Sequence, residues 1–300
     1  MELLADSLIA NLDRLHTTPQ GAARIRRNLS LEEQEPVAWC RERVLDPAAV
    51  LERRGKNWYV RVDGCEITVN AGSLTIITAR REKPVNPASQ ARSTVLGIYE
   101  TSYMFESARF LVRPPRPEDC AGLTGVYGDT DALPFFNGDN CNGDTFYYPT
   151  EERMAKLMVF WRQAYENRWF VRMVIVDKTI AEIVGSIDLC TCAAEGARGQ
   201  DGILRVDVRS DREREDALHE LFRLIAPRVS GLLGCESVLT KAPPYAAERI
   251  AALRRAGFAP SEHPTAGNDG CLYGDYWVLQ LFKTDKTEHV SSRSTPEKQL

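Results

Sequence analysis

No stretch of this 300-residue chain approaches the roughly 20 consecutive apolar residues that a membrane-spanning helix needs. The first residues, MELLADSLIANLDRL, carry acids where a secretory signal has positive charge, so a cytoplasmic protein is expected. Histidine is scarce, with four in all, and the eight cysteines include one C-x-C and no C-x-x-C. That excludes the usual zinc spacings and leaves the cysteines as reduced thiols with packing roles; no metal is expected. Charge of one sign is lacking too. A net charge of −4 and a pI of about 5.7 supply no general attraction to nucleic acid or an anionic membrane, and neither is expected as a partner. Residues 1–84 are nearly balanced, and the remainder carries the excess of acid, so neither part is a basic module.

What is present is an ordinary globular composition, 43% hydrophobic and 27% charged, at a length that suits two domains. Proline, serine, asparagine and threonine interrupt the periodicity from about residue 83. The organisation read from this is a small α+β domain over 1–84, a linker over 85–107, a larger domain over 108–283 and a disordered tail over 284–300. With few apolar residues in the linker, the two domains are expected to fold separately.

In the first domain, helical patterns at about 2–15, 20–29 and 35–54 precede three strand patterns, NWYVRVD, CEITVN and LTIITAR. Asp63-Gly64 supplies a two-residue hairpin turn between the first two. A helical layer on a three-stranded antiparallel meander follows. His16, Thr17 and Thr18 read as the cap of the second helix.

The second domain opens with the strand RFLVR and a loop rich in Gly, Asp and Asn over 128–144. A helix follows, beginning at Thr150 and carrying Met154, Leu157, Met158, Trp161 and Tyr165 on one stripe. Strands at 171–177, 180–189 and 203–208 come next, then a helix with Leu218, Leu221, Phe222 and Ile225 on one face. A strand near 235–240, a helix at 244–256 and a strand at 276–282 complete the order.

This order, with YAAERIAALRRAGF (245–258) closing on Gly-Phe, resembles the GNAT superfamily of acyl-CoA-dependent N-acyltransferases over about 109–283. FFNGDNCNGD (135–144), ILRVDVRSDRERED (203–216) and KAPPYAAERIAALRRAGF (241–258) are similar to one bacterial branch of it. The resemblance implies a mixed central sheet flanked by helices. It also implies transfer of an acetyl group from acetyl-CoA to a small-molecule or peptide amine, with the backbone at Val206 and Val208 beside the coenzyme. The family's glycine-rich pyrophosphate loop is absent: Glu213, Arg214, Asp216 and Leu218 stand at its positions. Arg209, Arg212 and Arg214 could grip phosphates in its place, or pair locally with the acids of a solvated helix start. The family's usual general-acid tyrosine is replaced by Leu253, leaving Tyr245 and Tyr273 as candidates. Asp207 is the first choice of general base, with Asp188 and Glu182 behind it; a buried carboxylate there equally serves to hold Arg205 or a loop backbone. Asn137, Asp139 and Asn140 are the candidate substrate contacts. The loop's Asp129, Asp131, Asp139 and Asp144 lack the EF-hand spacing, and turn formation alone explains its composition. A catalytically idle scaffold used for binding or regulation is the rival reading of this half.

LHTTPQGAARIRRNL (15–29) with RRGKNWYVRVDGCEITVNAGSLTIITARR (53–81) resembles small bacterial domains of no assigned activity. Arg53, Arg54, Lys56, Tyr59, Asn70, Thr78 and Arg80 cluster near its strands, and a nuclease- or toxin-like activity is the alternative to partner binding.

Overall fold

A computed structural model describes residues 7–31, 34–81, 97–139, 141, 143–192, 201–267 and 271–281. The expected tail therefore lies outside the described residues, as does most of the expected linker. After a 3-10 turn (Ile9–Arg14), the first half contains α1 (Pro19–Leu29), α2 (Pro36–Leu45), β1 (Val50–Arg54), β2 (Asn57–Val62), β3 (Cys65–Asn70) and β4 (Ile76–Arg81). Thr18 caps α1 by accepting the Gly21 N–H at 3.1 Å, with Pro19 in the first helical position, and Ile25 and Leu29 are buried on one stripe. Asp63 and Gly64 both have positive φ, 49° and 66°, as a type I′ hairpin turn requires. The edge strand β4 is covered by α1, whose Arg24 and Asn28, one turn apart, donate to the carbonyls of Ile77 and Ala79.

The three expected strands are joined by a fourth. Residues 50–54, expected at the end of a helix, form β1, because α2 stops at Asp46-Pro47 and Gly55-Lys56 turns the chain back onto β2. A larger departure follows. Residues 103–106, within the expected linker, form β5 (Tyr103–Glu106), paired with β1 on one side and with β6 (Phe110–Arg113) on the other. The meander thereby continues into the sheet of the second half. Glu106, fully buried, accepts from Ser7 Oγ, from Leu8 N–H at 2.9 Å and from Lys178 Nζ at 2.8 Å, so one carboxylate ties both halves together. One apolar cluster likewise holds Ile25, Trp39 and Trp58 together with Leu111, Tyr127 and Val174.

The chain continues through α3 (Cys120–Tyr127), α4 (Glu151–Glu166), β7 (Val171–Asp177), β8 (Glu182–Cys192), β9 (Asp201–Val208), α5 (Glu215–Leu233), β10 (Ser237–Lys241), α6 (Ala247–Arg255), β11 (Ala259–Pro260), β12 (Thr265–Ala266), β13 (Leu272–Tyr273) and β14 (Tyr276–Gln280). β12 and β13 pair with each other; the rest form a single mixed sheet in the order β11-β14-β10-β9-β8-β7-β6-β5-β1-β2-β3-β4. Its parallel pair is β9–β10. The apolar stripe of α5 packs on one face of the sheet, while α3 and α4 cover the other. Among the described residues, no helix is long and apolar enough to cross a membrane.

Candidate functional site

β9 is paired with β8 over its whole length, but with β10 only from Asp201 to Ile203. Beyond Ile203 the two parallel strands diverge, and the gap beside Val206 is entered by a side chain from α6. Arg249, 2% exposed, donates to the Val206 carbonyl at 2.9 Å and grips Glu213 with two further bonds of 2.6 Å. Burial works against the Arg249 charge, and Glu213 more than offsets it, so the guanidinium is held above its ordinary pKa.

Carboxylates of the chain also meet the backbone ahead of α5 and at its first residue. The Ser210 N–H, in the 3-10 turn Ser210–Arg212, goes to Asp129 Oδ2 at 2.8 Å, and the Glu215 N–H, the first of α5, to Glu248 Oε2 at 2.7 Å. A protein carboxylate thus stands where a helix N-terminus would otherwise take an anion. Of the candidate phosphate arginines, Arg209 holds Asp211 in a fork (2.8 and 3.0 Å) and reaches Glu182 at 3.0 Å. Arg212 bonds Asp177 at 3.1 Å and Asp211 at 2.7 Å. Both share Asp211 of that turn and reach in addition a carboxylate of β7 or β8; Arg214 is exposed at the helix cap. Val206 and Val208 are buried beside the gap, and Leu253 lies in the core.

On the α4 face the same strand takes part in a ladder of charge. Arg172 of β7, Asp188 of β8 and Arg205 of β9 are direct cross-strand partners, with Asp188 Oδ2 at 3.5 Å from Arg172 and 3.3 Å from Arg205. Two residues along, Asp207 opposes Ser186 and meets Arg172 at 3.1 Å. The Tyr127 hydroxyl shares a hydrogen bond with Ser186 Oγ at 2.6 Å, donates to Asp207 at 3.3 Å and accepts from Arg172 at 2.9 Å. Burial works against the Arg172 charge, but Tyr127, Asp188 and Asp207 raise its pKa overall. Among the described residues, Asp188 Oδ1 and Asp207 Oδ1 are buried without a hydrogen-bond partner.

Above this ladder is a pocket of about 620 Å³, with Arg172, Asp188 and Arg205 among the residues that line it and Trp161, Trp169 and Tyr273 among its aromatic ones. Asp188 is among the residues that line the pocket and Asp207 is not, although both are 1% exposed. The 128–144 loop supplies one wall. Asn137 donates to the Tyr276 hydroxyl at 3.2 Å and accepts from the Asp139 N–H at 3.0 Å. Asp139 receives Lys241 on both carboxylate oxygens at 2.7 Å, and its carbonyl receives Arg205 at 2.9 Å. Asn140 lies outside the described residues. Tyr273 lines the pocket under Lys241, while Tyr245 is 63% exposed and donates to the Pro134 carbonyl at 2.6 Å, away from the ladder. The structure thus brings Asp188, Arg205, Asp139 and Tyr273 to one pocket and leaves Tyr245, Arg209 and Arg212 outside it. Among the described residues, no group of three or more His, Cys, Asp or Glu is placed to hold a metal.

Arg172, Tyr127, Glu248 and Arg249 are site residues that the sequence does not single out, and Glu213, legible only as a residue in place of the glycine loop, proves to be the partner of Arg249. Two of them had a signal: Arg172 interrupts the apolar run VRMVIVD, and Arg249 sits on the same helical stripe as Ala252 and Leu253.

Residues 9–80 match the model of a family described as a protein of unknown function, DUF3781. No curated protein matches the chain. Among solved structures, ribosomal-protein-S5-alanine acetyltransferase from Vibrio fischeri is similar at 13% identity and a TM-score of 0.46, over 61% of this chain and 97% of that one. Spermidine N-acetyltransferase from Vibrio cholerae, in complex with CoA and spermine, is similar at 8% identity and a TM-score of 0.43, over 58% of this chain and 97% of that one. Mycobacterium smegmatis RimJ, in complex with CoA-disulfide, gives 14%, 0.44, 56% and 79% in the same order. These are likenesses in the course of the chain and carry no residue role.

Proposed function

We propose that the second half is a binding module for a small amine, built on an acyltransferase-like scaffold that does not use acetyl-CoA. The observation that carries this reading is Arg249, which fills the gap between β9 and β10 and occupies the Val206 carbonyl. A thioester coenzyme lying beside β9 would need that carbonyl and that gap, and its diphosphate would need backbone N–H groups at the start of α5. The residues present do not fit it. Glu248 already takes the first N–H of α5, Asp129 takes one in the turn before it, both would repel a diphosphate, and two of the three nearby arginines are committed to carboxylates. Displacing Arg249 would strand Glu213 as a buried unpaired charge, a loss of several kcal/mol.

The pocket on the other face is open and chemically specific. Asp188 lies beneath the floor, with one buried oxygen that has no partner among the described residues, and Trp169, 60% exposed, stands on the wall, whereas Trp161 already carries Arg172 over its ring. An amine whose body lies against Trp169 and whose ammonium group approaches Asp188 from the pocket side satisfies both features.

One observation favours the second reading, acetyl transfer to an amine: β9 and β10 do diverge after Ile203, and the pocket carries a carboxylate suited to an ammonium group. Under that reading Asp188, which lines the pocket, is better placed as the base than Asp207. Calorimetric titration of the full chain with acetyl-CoA, and separately with tryptamine as an aromatic amine, tests the proposal. No heat is expected from acetyl-CoA at millimolar concentration, and binding is expected from tryptamine. Micromolar binding of acetyl-CoA would overturn the module in favour of the transferase; silence from tryptamine would remove the amine assignment.

A further inference from the structure

A second cavity, with no part in the site above except a shared wall, lies where the sheet is interrupted. β6 pairs with β7 only as far as Arg113 opposite Val174, because Pro114 and Pro115 follow and have no N–H groups to continue the ladder. The edge of β7 at Val171–Met173 is left facing a cleft of about 570 Å³, closed on the far side by Ile98, Tyr103 and the α4 residues Met158 and Tyr165. One wall is fixed: buried Arg113 forks onto Asp119 with two bonds of 2.8 Å, and Asp119 also accepts the Arg116 N–H at 2.7 Å. The proline segment is therefore held in place before any ligand arrives.

The charge around the cleft is one-sided. Among the described residues its lining includes Arg116, Arg162 and Arg172 and no carboxylate. Arg172 is spent on Asp188 and Asp207, but Arg162 makes only a 3.9 Å contact with Glu166, both side chains being mostly exposed, and such a pair holds a guanidinium weakly. We propose that this cleft binds an amphipathic monoanion, with an apolar chain or ring system inside and a carboxylate at the mouth received by Arg162. The volume is that of a small-molecule site, and an apolar cavity of this kind gains little from water. A neutral lipid would leave Arg162 with Glu166 alone, and a cation would meet it with repulsion.

The full chain is titrated by calorimetry with sodium decanoate below its micellar concentration, and in parallel with decanol and decyltrimethylammonium. Decanoate is expected to bind, decanol about tenfold more weakly, and the cation not at all, a tenfold step being the scale of one charge-assisted contact. Arg162→Glu, at an exposed position that leaves the fold intact, should weaken decanoate by at least about tenfold and improve the cation. Met158→Trp should fill the cleft and abolish binding. Absence of decanoate binding overturns the proposal, as does equal binding of all three probes. Binding unchanged in Arg162→Glu would overturn the role of the rim even if Met158→Trp failed to fold.

Discussion

The two sides of β9 handle charge in opposite ways. On the side facing α6, each strong group is matched: Arg249 gives bonds to both oxygens of Glu213 and one to Val206, and the backbone ahead of α5 and at its first residue meets Asp129 and Glu248. On the side facing α4, Arg172, Asp188, Arg205 and Asp207 alternate in sign, yet two buried carboxylate oxygens have no partner among the described residues, and a pocket opens beside one of these groups, Asp188. A saturated pair seals a gap, because any ligand entering must first pay for breaking it. An unsaturated ladder instead holds acceptor capacity that a ligand can complete. The contrast is the reason for placing recognition on the α4 side.

The sharpest way to break this contrast is to unbalance the sealed side. Glu213→Ala leaves Arg249 buried with a single carbonyl partner, and a loss of about 3–5 kcal/mol is expected in urea unfolding. The paired variant Glu213→Leu with Arg249→Met should recover most of it, since replacing a whole buried pair by apolar residues is often close to neutral. A loss below about 1 kcal/mol for Glu213→Ala would show that Arg249 escapes to solvent and that the gap can open.

How far the sequence discloses this arrangement depends on the range of the interaction concerned. Alternation in NWYVRVD and CEITVN with Asp63-Gly64 between them, and the stripe from Thr150 through Trp161, report local geometry, and the structure follows both. β1 was obscured because Leu51 and the apolar residues of α2 fit one helical stripe, although Asp46-Pro47 and Gly55 mark the true breaks. β5 has no local signal at all: four residues, all buried, become a strand only because β1 and β6 arrive on either side. The site divides the same way. Asp188, Arg205 and Asp207 were legible as polar positions on apolar strands, and Asp139 as a loop carboxylate near them. The seal was not, since Arg249 and Glu213 are 36 residues apart and neither position alone says which partner it meets. The absence of glycines at the start of α5 was visible; that Glu248 fills the vacated role was not.

A moderate effect is expected from the ladder. Asp207→Asn keeps the shape and removes one negative charge beside Arg172, which retains Asp188, Tyr127 and Ser186. A loss of about 1–3 kcal/mol is expected, smaller than that of Glu213→Ala, with tryptamine binding retained because Asp207 does not line the pocket. Loss of amine binding at unchanged stability would instead bring Asp207 into the site and weaken the division between the two sides.

The smallest effect belongs to Asp129, which sharpens the account of the helix start. Burial by itself would raise its pKa, but the Ser210 N–H, with help from the backbone at Asp131 and Ala132, holds the carboxyl below its ordinary range. A carboxyl depressed in the folded state contributes stability that is present above its unfolded pKa, near about 3.9, and lost as pH falls through the lower folded value. Asp129→Asn should therefore be slightly less stable than the parent at pH 7, and the two should converge as the pH drops below about 4. Because the side chain is only half-buried, solvent screens much of the interaction, and the difference is best read as a change in the slope of melting temperature against pH. A gap between the two proteins that stays constant from pH 7 to about pH 3 would mean that the Asp129 charge is not what holds Ser210, and that the start of α5 is closed by geometry without the help of its acids.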